Sequence, residues 1–577
     1  MIRQKTANRQ LLLLGQAALI FVWLTDLSAL AGTDTYYSVY LLCAVASLLC
    51  LVDNHHRQAG CSRGQGWAIG LTSAAFSLAV VLANYALFEP LSVLENLFNL
   101  LCCLAGGLCV AQPIVLWGLN RLPLAAAGEG RKHPARLFWA VFASIAAIDL
   151  LYLFFARYPG VLTTDSITTI EQLLGQQSYD NTMPFWHTMT VKVFVELGMG
   201  LFGNINAGVA LFHGAQILFM AACFACCVVT LYQAGLPRWV LVVVYGLYAF
   251  QPHHIAYSVT LWKDIPFAGA ALLFLAGFYR ILRGVGKSQR LNYALLILGG
   301  LGLCLWRTNG WYAFAVTTLV LWLLLRRKQK RLLRVMLVLV VVCWLLLNPV
   351  LNLLGVKPTN FVEAFAVPMQ QVARVVAEGR ELSAQQQELL GQIFLMDKLP
   401  SSYDPLTVDP VKFECFRYDQ VGHILDNLPA YAKLYLELGL RYPGDFLKAW
   451  VDESKGYWNG GYFFWIYTKG VGENTLGITA SYGENPIASG FAALFRYVEK
   501  LPILQGLVSI GLHIWALIGC GILCLMKKRP EALLTIPLLV LVVGLWLGSP
   551  VYAEFRYAYP VMVSMPLILS VTAYSKN

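Results

Sequence analysis

Residues 310–354 read GWYAFAVTTLVLWLLLRRKQKRLLRVMLVLVVVCWLLLNPVLNLL, two apolar runs (310–325 and 332–354) around the basic cluster Arg326, Arg327, Lys328, Lys330, Arg331 and Arg334. A bilayer core of about 30 Å takes about 20 apolar residues as a helix, so each run is sized to span it. Short loops rich in Lys and Arg stay in the cytoplasm, so the cluster puts this turn inside and both far ends outside. Outward from the pair, further runs occupy 11–31, 36–52, 67–88, 97–118, 137–156, 207–233, 238–252, 265–284, 290–306, 503–526, 531–547 and 557–574. The fold class that follows is an all-α polytopic membrane protein with about fourteen transmembrane helices.

Composition agrees with this reading. Hydrophobic residues make up 58% of the 577 residues and charged residues 13%, about half the charged share of a soluble domain. So few charges cannot clothe a soluble globule of this size, which excludes a soluble enzyme. The formal charge of +11 does not point to nucleic acid, because Lys and Arg fall in short clusters between apolar runs and form no single basic face. With Arg3, Lys5 and Arg9 inside, the later clusters (Arg57 and Arg63; Arg121, Arg131, Lys132 and Arg136; Arg238; Arg280, Arg283, Lys287 and Arg290; Lys527, Lys528 and Arg529) also fall inside. Both termini are then cytoplasmic. The first run lacks a small-residue cleavage site and reads as a retained span. All cysteines but Cys61 and Cys415 lie in apolar runs, and those two fall on opposite sides, so no disulfide is expected.

Four regions follow: accessory spans in 1–136, a transmembrane core in 137–354, an extracytoplasmic domain in 355–502 and closing spans in 503–577. Two outside segments, 157–206 and 355–502, are too long for plain connections. In the first, 187–203 carries Lys192 and Glu196 and reads as an interfacial helix. The second reads as a small, mainly helical domain with helices near Glu381 to Met396 and near Phe413 to Leu440. It ends in the aromatic run 457–467, suited to stacking sugars or, more plainly, to anchoring at the interface. Arg-Tyr-Pro-Gly occurs at Arg157 and again at Arg441, too short a match for a repeat, although Pro-Gly favours a tight turn.

With this topology nearly all unusual polar residues face outside. They come as Thr163-Thr164-Asp165-Ser166, Pro184-Phe185-Trp186-His187, His253-His254, Trp262-Lys263-Asp264, Trp306-Arg307-Thr308-Asn309, Gln370-Gln371 with Arg374, and Glu554-Phe555-Arg556-Tyr557. A carboxylate beside a hydroxyl serves as general base, and Arg or Lys binds a phosphate as it departs. Glycosyl transfer from a lipid phosphate uses both, at the membrane surface. Plainer readings stand beside this one. Thr-Asp-Ser before Ile-Thr-Thr-Ile is capping chemistry, which would make Asp165 an N-cap. Arg307 and Arg556 sit at span ends, where snorkelling needs no function. His187, His253 and His254 read equally as ordinary loop histidines. Asp149, inside a span, is functional by default, though the sequence names no partner for it.

The strings YPGVLTTDS, WHT, LWKDIPF, RTNGW, PMQQVAR and EFRYAYP, in that order over roughly 137–577, resemble the GT-C superfamily of polyprenyl-phosphate-sugar-dependent glycosyltransferases, in a bacterial multi-pass branch. The resemblance implies a GT-C-like fold in a bacterial plasma membrane, with an extracytoplasmic active site. It makes Asp165 the catalytic base and Asp264 the second acidic residue. It gives Lys263, Arg307, Arg374 and Arg556 to the donor phosphate, and His187, His254, Gln370 and Gln371 to substrate. The partners implied are a polyprenyl-phosphate-linked sugar, an acceptor glycan, lipid or protein, and membrane lipids, with no nucleic acid. Asp165 lacks the adjacent acidic partner of metal-dependent relatives. A divalent cation, Mg or Mn, would need Asp165 and Asp264 together. In the metal-free version Lys263 neutralises Asp264 and the phosphate is met by Arg307, Arg374 or Arg556. The rivals are a lipid-linked polysaccharide polymerase or ligase, leaning on Arg374 or His187, and a transporter or flippase with mid-membrane charge and inverted repeats.

Overall fold

The structure, a computed structural model, describes residues 2–575 except 32–34, 89–91, 127–132, 360, 465–467, 469 and 484. Arg131, Lys132 and residues 465–467 of the aromatic run therefore lie outside the described residues. The chain is a helical, polytopic membrane protein: among the described residues eight helices are long and apolar enough to cross a bilayer. They are α1 (Ile2–Asp26, its apolar stretch running to Leu30), α2 (Tyr37–His56), α3 (Arg63–Ala83), α4 (Val93–Arg121), α5 (Pro134–Ala156), α8 (Ile205–Gln233), α11 (Asp264–Arg283) and α14 (Lys330–Leu347, continued to Leu353). Between them come α6 (Thr164–Leu173), α7 (Phe185–Phe202), α9 (Arg238–Phe250), α10 (Pro252–Ser258), α12 (Gln289–Leu305) and α13 (Gly310–Leu325).

Several expected spans form helices short of membrane length. α9, α12, α13, Ile510–Met526 and Ala532–Gly548 are apolar helices of 10–17 residues. The run 503–526 breaks because Ser509 caps a new helix at Ile510, accepting from the Leu512 N–H. The last run is the helix Phe555–Ala573, with Pro560 and Pro566 inside it. α7 is an 18-residue helix outside the membrane-length set. It packs on α8 where Gly198 meets Gly208, so closely that a Cβ on Gly198 would lie 2.5 Å from the Gly208 Cα.

α11 organises the core. Its apolar window is 89% buried, against 17–61% for the other membrane-length helices, and α8, α12 and Phe555–Ala573 pack around it. One end starts at Asp264; the other is held by Arg283, whose Nη2 lies 2.7 Å from Glu531 Oε1. At 1.5 Å rise per residue these ends are about 30 Å apart. α1 to α4 make a separate apolar cluster around Trp23, Tyr40, Cys103 and Val110.

The inserted segment has its own core, including Met369, Leu390, Phe394, Val411, Leu438 and Phe446. Its two expected helices are shorter than read. Ser383 caps the first, confining it to Ala384–Ile393. The second divides into Val421–Asp426 and Leu428–Arg441 at Asn427, where Pro429 cannot continue a preceding helix. The described part of the aromatic run packs inward. Tyr457 is fully buried, Tyr40 donates to Asn459 Oδ1 (2.6 Å), and Tyr462 donates to the Ala83 carbonyl (3.0 Å), tying this strap to the first helices.

Candidate functional site

The site begins where α5 ends. Gly160 has φ +137°, and a Cβ there would lie 2.1 Å from the His213 imidazole, so only glycine fits this turn. The second Arg-Tyr-Pro-Gly does something else, placing Pro443 in the first turn of the helix Pro443–Ser454. After Gly160 the chain runs extended beside the segment that leads into α11. Val161 N–H donates to Val259 O (2.8 Å) and Leu261 N–H to Val161 O (3.1 Å). Two loops far apart in sequence are thereby pinned in one register.

α6 starts at Thr164, and its cap is Thr163 in a capping box with Ser166. Asp165 is therefore not the N-cap. Ser166 Oγ donates to Leu261 O (2.8 Å) and Trp262 Nε1 to Thr163 Oγ1 (2.8 Å), which fixes the first turn of α6 against the second loop. The carboxylate of Asp165, unused for capping, lies 3.0 Å from Arg556 Nη1 and 3.9 Å from Lys263 Nζ. Burial pushes this carboxyl up, but Lys263 and Arg556 pull harder, and the net shift is below the usual Asp value. It stays an ionised proton acceptor at neutral pH while its side chain keeps 36% exposure toward a cavity.

Asp264, the first residue of α11, is wholly buried and lies 2.8 Å from Arg307 Nη1. Lys263 thus neutralises Asp165, and the expected Lys263–Asp264 pairing gives way to Arg307–Asp264. The reason is the helix start: α11 begins between these two residues and sends their side chains apart. Lys263 Nζ also donates to the Thr182 carbonyl at 3.0 Å. Tyr557 sits between two cations, with the Arg307 guanidinium 4.7 Å and the Arg556 guanidinium 5.1 Å from its ring centre. Arg556 also lies over Trp262 at 5.1 Å.

Asp165, Lys263, Arg307 and Tyr557 face a cavity of about 760 Å³, with Asp264 and Arg556 behind them in contact with Arg307 and Asp165. Asp165, Lys263, Arg307, Asn309, Glu363 and Tyr557 line its polar head. From the head an apolar arm runs between α13 (Tyr312, Val316, Val320) and the helix Thr535–Gly548 (Leu539, Val543, Leu547). The inserted segment closes the head through Glu363, whose Oε2 lies 2.6 Å from Lys412 Nζ.

The remaining candidates lie elsewhere. Arg374 is in the core of the inserted segment, 2.9 Å from Asp452 Oδ2 and 3.6 Å from Glu378 Oε1. Gln370 donates to the Asp404 carbonyl; Gln371 donates to Phe446 O (3.1 Å) and accepts from Tyr435. All three serve that segment's packing and do not line the cavity. His254 Nδ1 lies 2.8 Å from the Tyr559 hydroxyl in a buried aromatic cluster with His253. His187 is buried near Lys263; burial first, then that ammonium, pushes it down to about 3, so it is neutral. Asp149 gains the partner the sequence left unnamed: it lies within hydrogen-bonding reach of Ser258.

Glu363, Lys412, Glu554 and Tyr557 complete the site, although the sequence assigned none of them a role. Glu554 and Tyr557 lie within EFRYAYP, whereas Glu363 and Lys412 sit in soluble-looking sequence with no local signal. A divalent cation finds no ready ligand set. Among the described residues no group of three or more His, Cys, Asp or Glu is placed to hold a metal, and Asp165 and Asp264 each close on a cation.

A model described as a family of unknown function (DUF6020) matches residues 177–577, and the chain belongs to that family. The match begins after Asp165 and takes in Lys263, Asp264, Arg307 and Arg556. No curated protein matches. No solved structure matches.

Proposed function

We propose that this member of the DUF6020 family is a GT-C-like membrane glycosyltransferase, moving a sugar from a polyprenyl-phosphate donor to an acceptor hydroxyl with inversion. One observation carries the reading: a cation-rich polar head holding an ionised carboxylate opens into an apolar arm between two helices. That is the shape of a lipid phosphate with its tail. The phosphate lies among Lys263, Arg307 and Arg556, and the first isoprene units lie along Val316, Val320, Leu539 and Val543. The reading places this head on the outer face of a bacterial plasma membrane, with both termini in the cytoplasm and about fourteen spans, following the basic clusters.

Asp165 takes the acceptor proton as the acceptor oxygen attacks the anomeric carbon opposite the phosphate. The departing phosphate gains negative charge and is held by cations already in place, so little reorganisation is needed. Proton acceptance by a positioned carboxylate contributes about 10²–10⁴-fold. No step is routed through a metal. Of the two residues a polymerase or ligase reading would lean on, Arg374 is closed against Asp452 and His187 is buried and neutral, which weighs against that alternative.

The test uses purified protein in liposomes with a panel of radiolabelled polyprenyl-phosphate sugars and membrane extract as acceptor source. Native protein discharges label from one of the donors, and Asp165→Asn loses at least about 100-fold of that rate with insertion unchanged. Undiminished transfer by the variant, or no donor consumed by native protein, removes the proposal.

A further inference from the structure

Arg556 is gripped on two edges. Its Nη1 lies 3.0 Å from Asp165 Oδ2 and its Nε 3.2 Å from Glu554 Oε1. The two carboxyls differ in surroundings: Asp165 opens to the cavity, while the Glu554 side chain keeps 3% exposure. The Nε–Oε1 approach is off the N–H axis, and Oε1 has no hydrogen bond among the described residues. The Glu554 backbone N–H donates to the Tyr457 hydroxyl at 3.0 Å, which fixes the residue where the strap meets the helix Phe555–Ala573.

We infer that Glu554 is a positioning residue: while neutral it leaves the Arg556 guanidinium to Asp165 and to an anionic phosphate, and once ionised it withdraws that guanidinium. The inference rests on the phosphate-binding reading above and deepens it. The groups that bear on Glu554 come from every side: Arg556 beside it, the carboxylates of Asp264, Asp165 and Asp409, and the phenols of Tyr257, Tyr457 and Tyr557. Burial, set against Arg556 and reinforced by the three carboxylates, pushes Glu554 up to about 7. Below about pH 7 it holds its proton, and above it the charge appears.

During transfer the acceptor O–H bond breaks, its proton joins Asp165, its oxygen bonds to the anomeric carbon, and the phosphate oxygen leaves with the electron pair. Before that step, in the donor complex, Arg556 is shared between Asp165 and the phosphate, and the phosphate keeps its share only while Glu554 is neutral.

The donor KM of native protein therefore rises about tenfold from pH 6 to pH 8, following the neutral fraction of one acid, with kcat at saturating donor far less affected. Glu554→Gln keeps the neutral form and holds KM within about twofold over that range. A purely structural role would not remove a pH dependence of KM, and a KM in the variant that still climbs tenfold overturns the inference. Infrared titration gives a readout free of transfer. Native protein shows a neutral carboxylic-acid band that fades between about pH 6 and 8, and Glu554→Gln lacks it. The sealed Glu453, with neither oxygen hydrogen-bonded among the described residues, is told apart by Glu453→Gln. Should Glu554→Gln not fold, Glu554→Met, with similar side-chain length, carries the same test. If the band titrates but no donor is consumed, the transfer proposal fails and Glu554's protonation stands. If donor is consumed but no such band titrates, only the inference fails.

Discussion

Asp165–Arg556 and Asp452–Arg374 are the same chemistry at nearly the same length, 3.0 and 2.9 Å, and the molecule treats them oppositely. In the inserted segment Arg374 and Asp452 are closed, with side chains 9% and 7% exposed, and Tyr85 and Lys455 complete the shell around Asp452. Asp165 stays 36% exposed and faces a cavity shared with Lys263 and Arg307. A closed pair satisfies itself and holds a domain together. An open pair has partners to exchange, which is what binding a phosphate and moving a proton require.

This contrast is breakable. The largest effect is on the open pair: Asp165→Asn costs transfer and spares stability. Arg374→Met does the reverse. Taking the guanidinium from the buried Asp452, which keeps Lys455 at 3.1 Å and the Tyr85 hydroxyl, costs about 1.5–3 kcal/mol, read as a lowered thermal midpoint, while donor KM in the folded fraction is unchanged. If Arg374→Met instead raised donor KM tenfold at full stability, the closed pair would belong to the site. A smaller effect is expected of Arg307→Lys, which keeps the charge but loses the planar contact with Tyr557; donor KM rises about tenfold, or 1.4 kcal/mol. The smallest concerns the arm. A Cβ on Gly544 would meet open space, so Gly544→Leu adds bulk to the arm without a backbone clash. It raises KM about threefold for a long-chain donor and leaves a one-isoprene analogue unaffected, as competition assays with the two would show.

Legibility in the sequence followed the range of each interaction. Apolar runs and their helices were readable because a span is a local property of about 20 residues. Their ends were less so. Ser509 and Pro429 break helices that hydropathy alone joins. Asp165, Lys263, Arg307 and Arg556 were identifiable as polar residues at span ends; the first three line one cavity, and Arg556 reaches it through its 3.0 Å contact with Asp165. Arg374, Gln370 and Gln371 carried the same kind of local signal and went instead to the core of the inserted segment. Nothing local separates a guanidinium that will meet Asp452 from one that will meet Asp165.

The amino-acid sequence by itself determined that this protein is helical, that it belongs in a membrane, and which polar residues stand at the ends of its apolar helices, because lipid leaves a backbone few options and its demands are met within each segment. Tertiary structure alone decided which cation faces which carboxylate, that Thr163 caps α6 so that Asp165 is free, and that Glu554 shares Arg556 with it. Those outcomes depend on contacts between residues hundreds of positions apart, whose geometry exists only once α11 and the helices around it have packed.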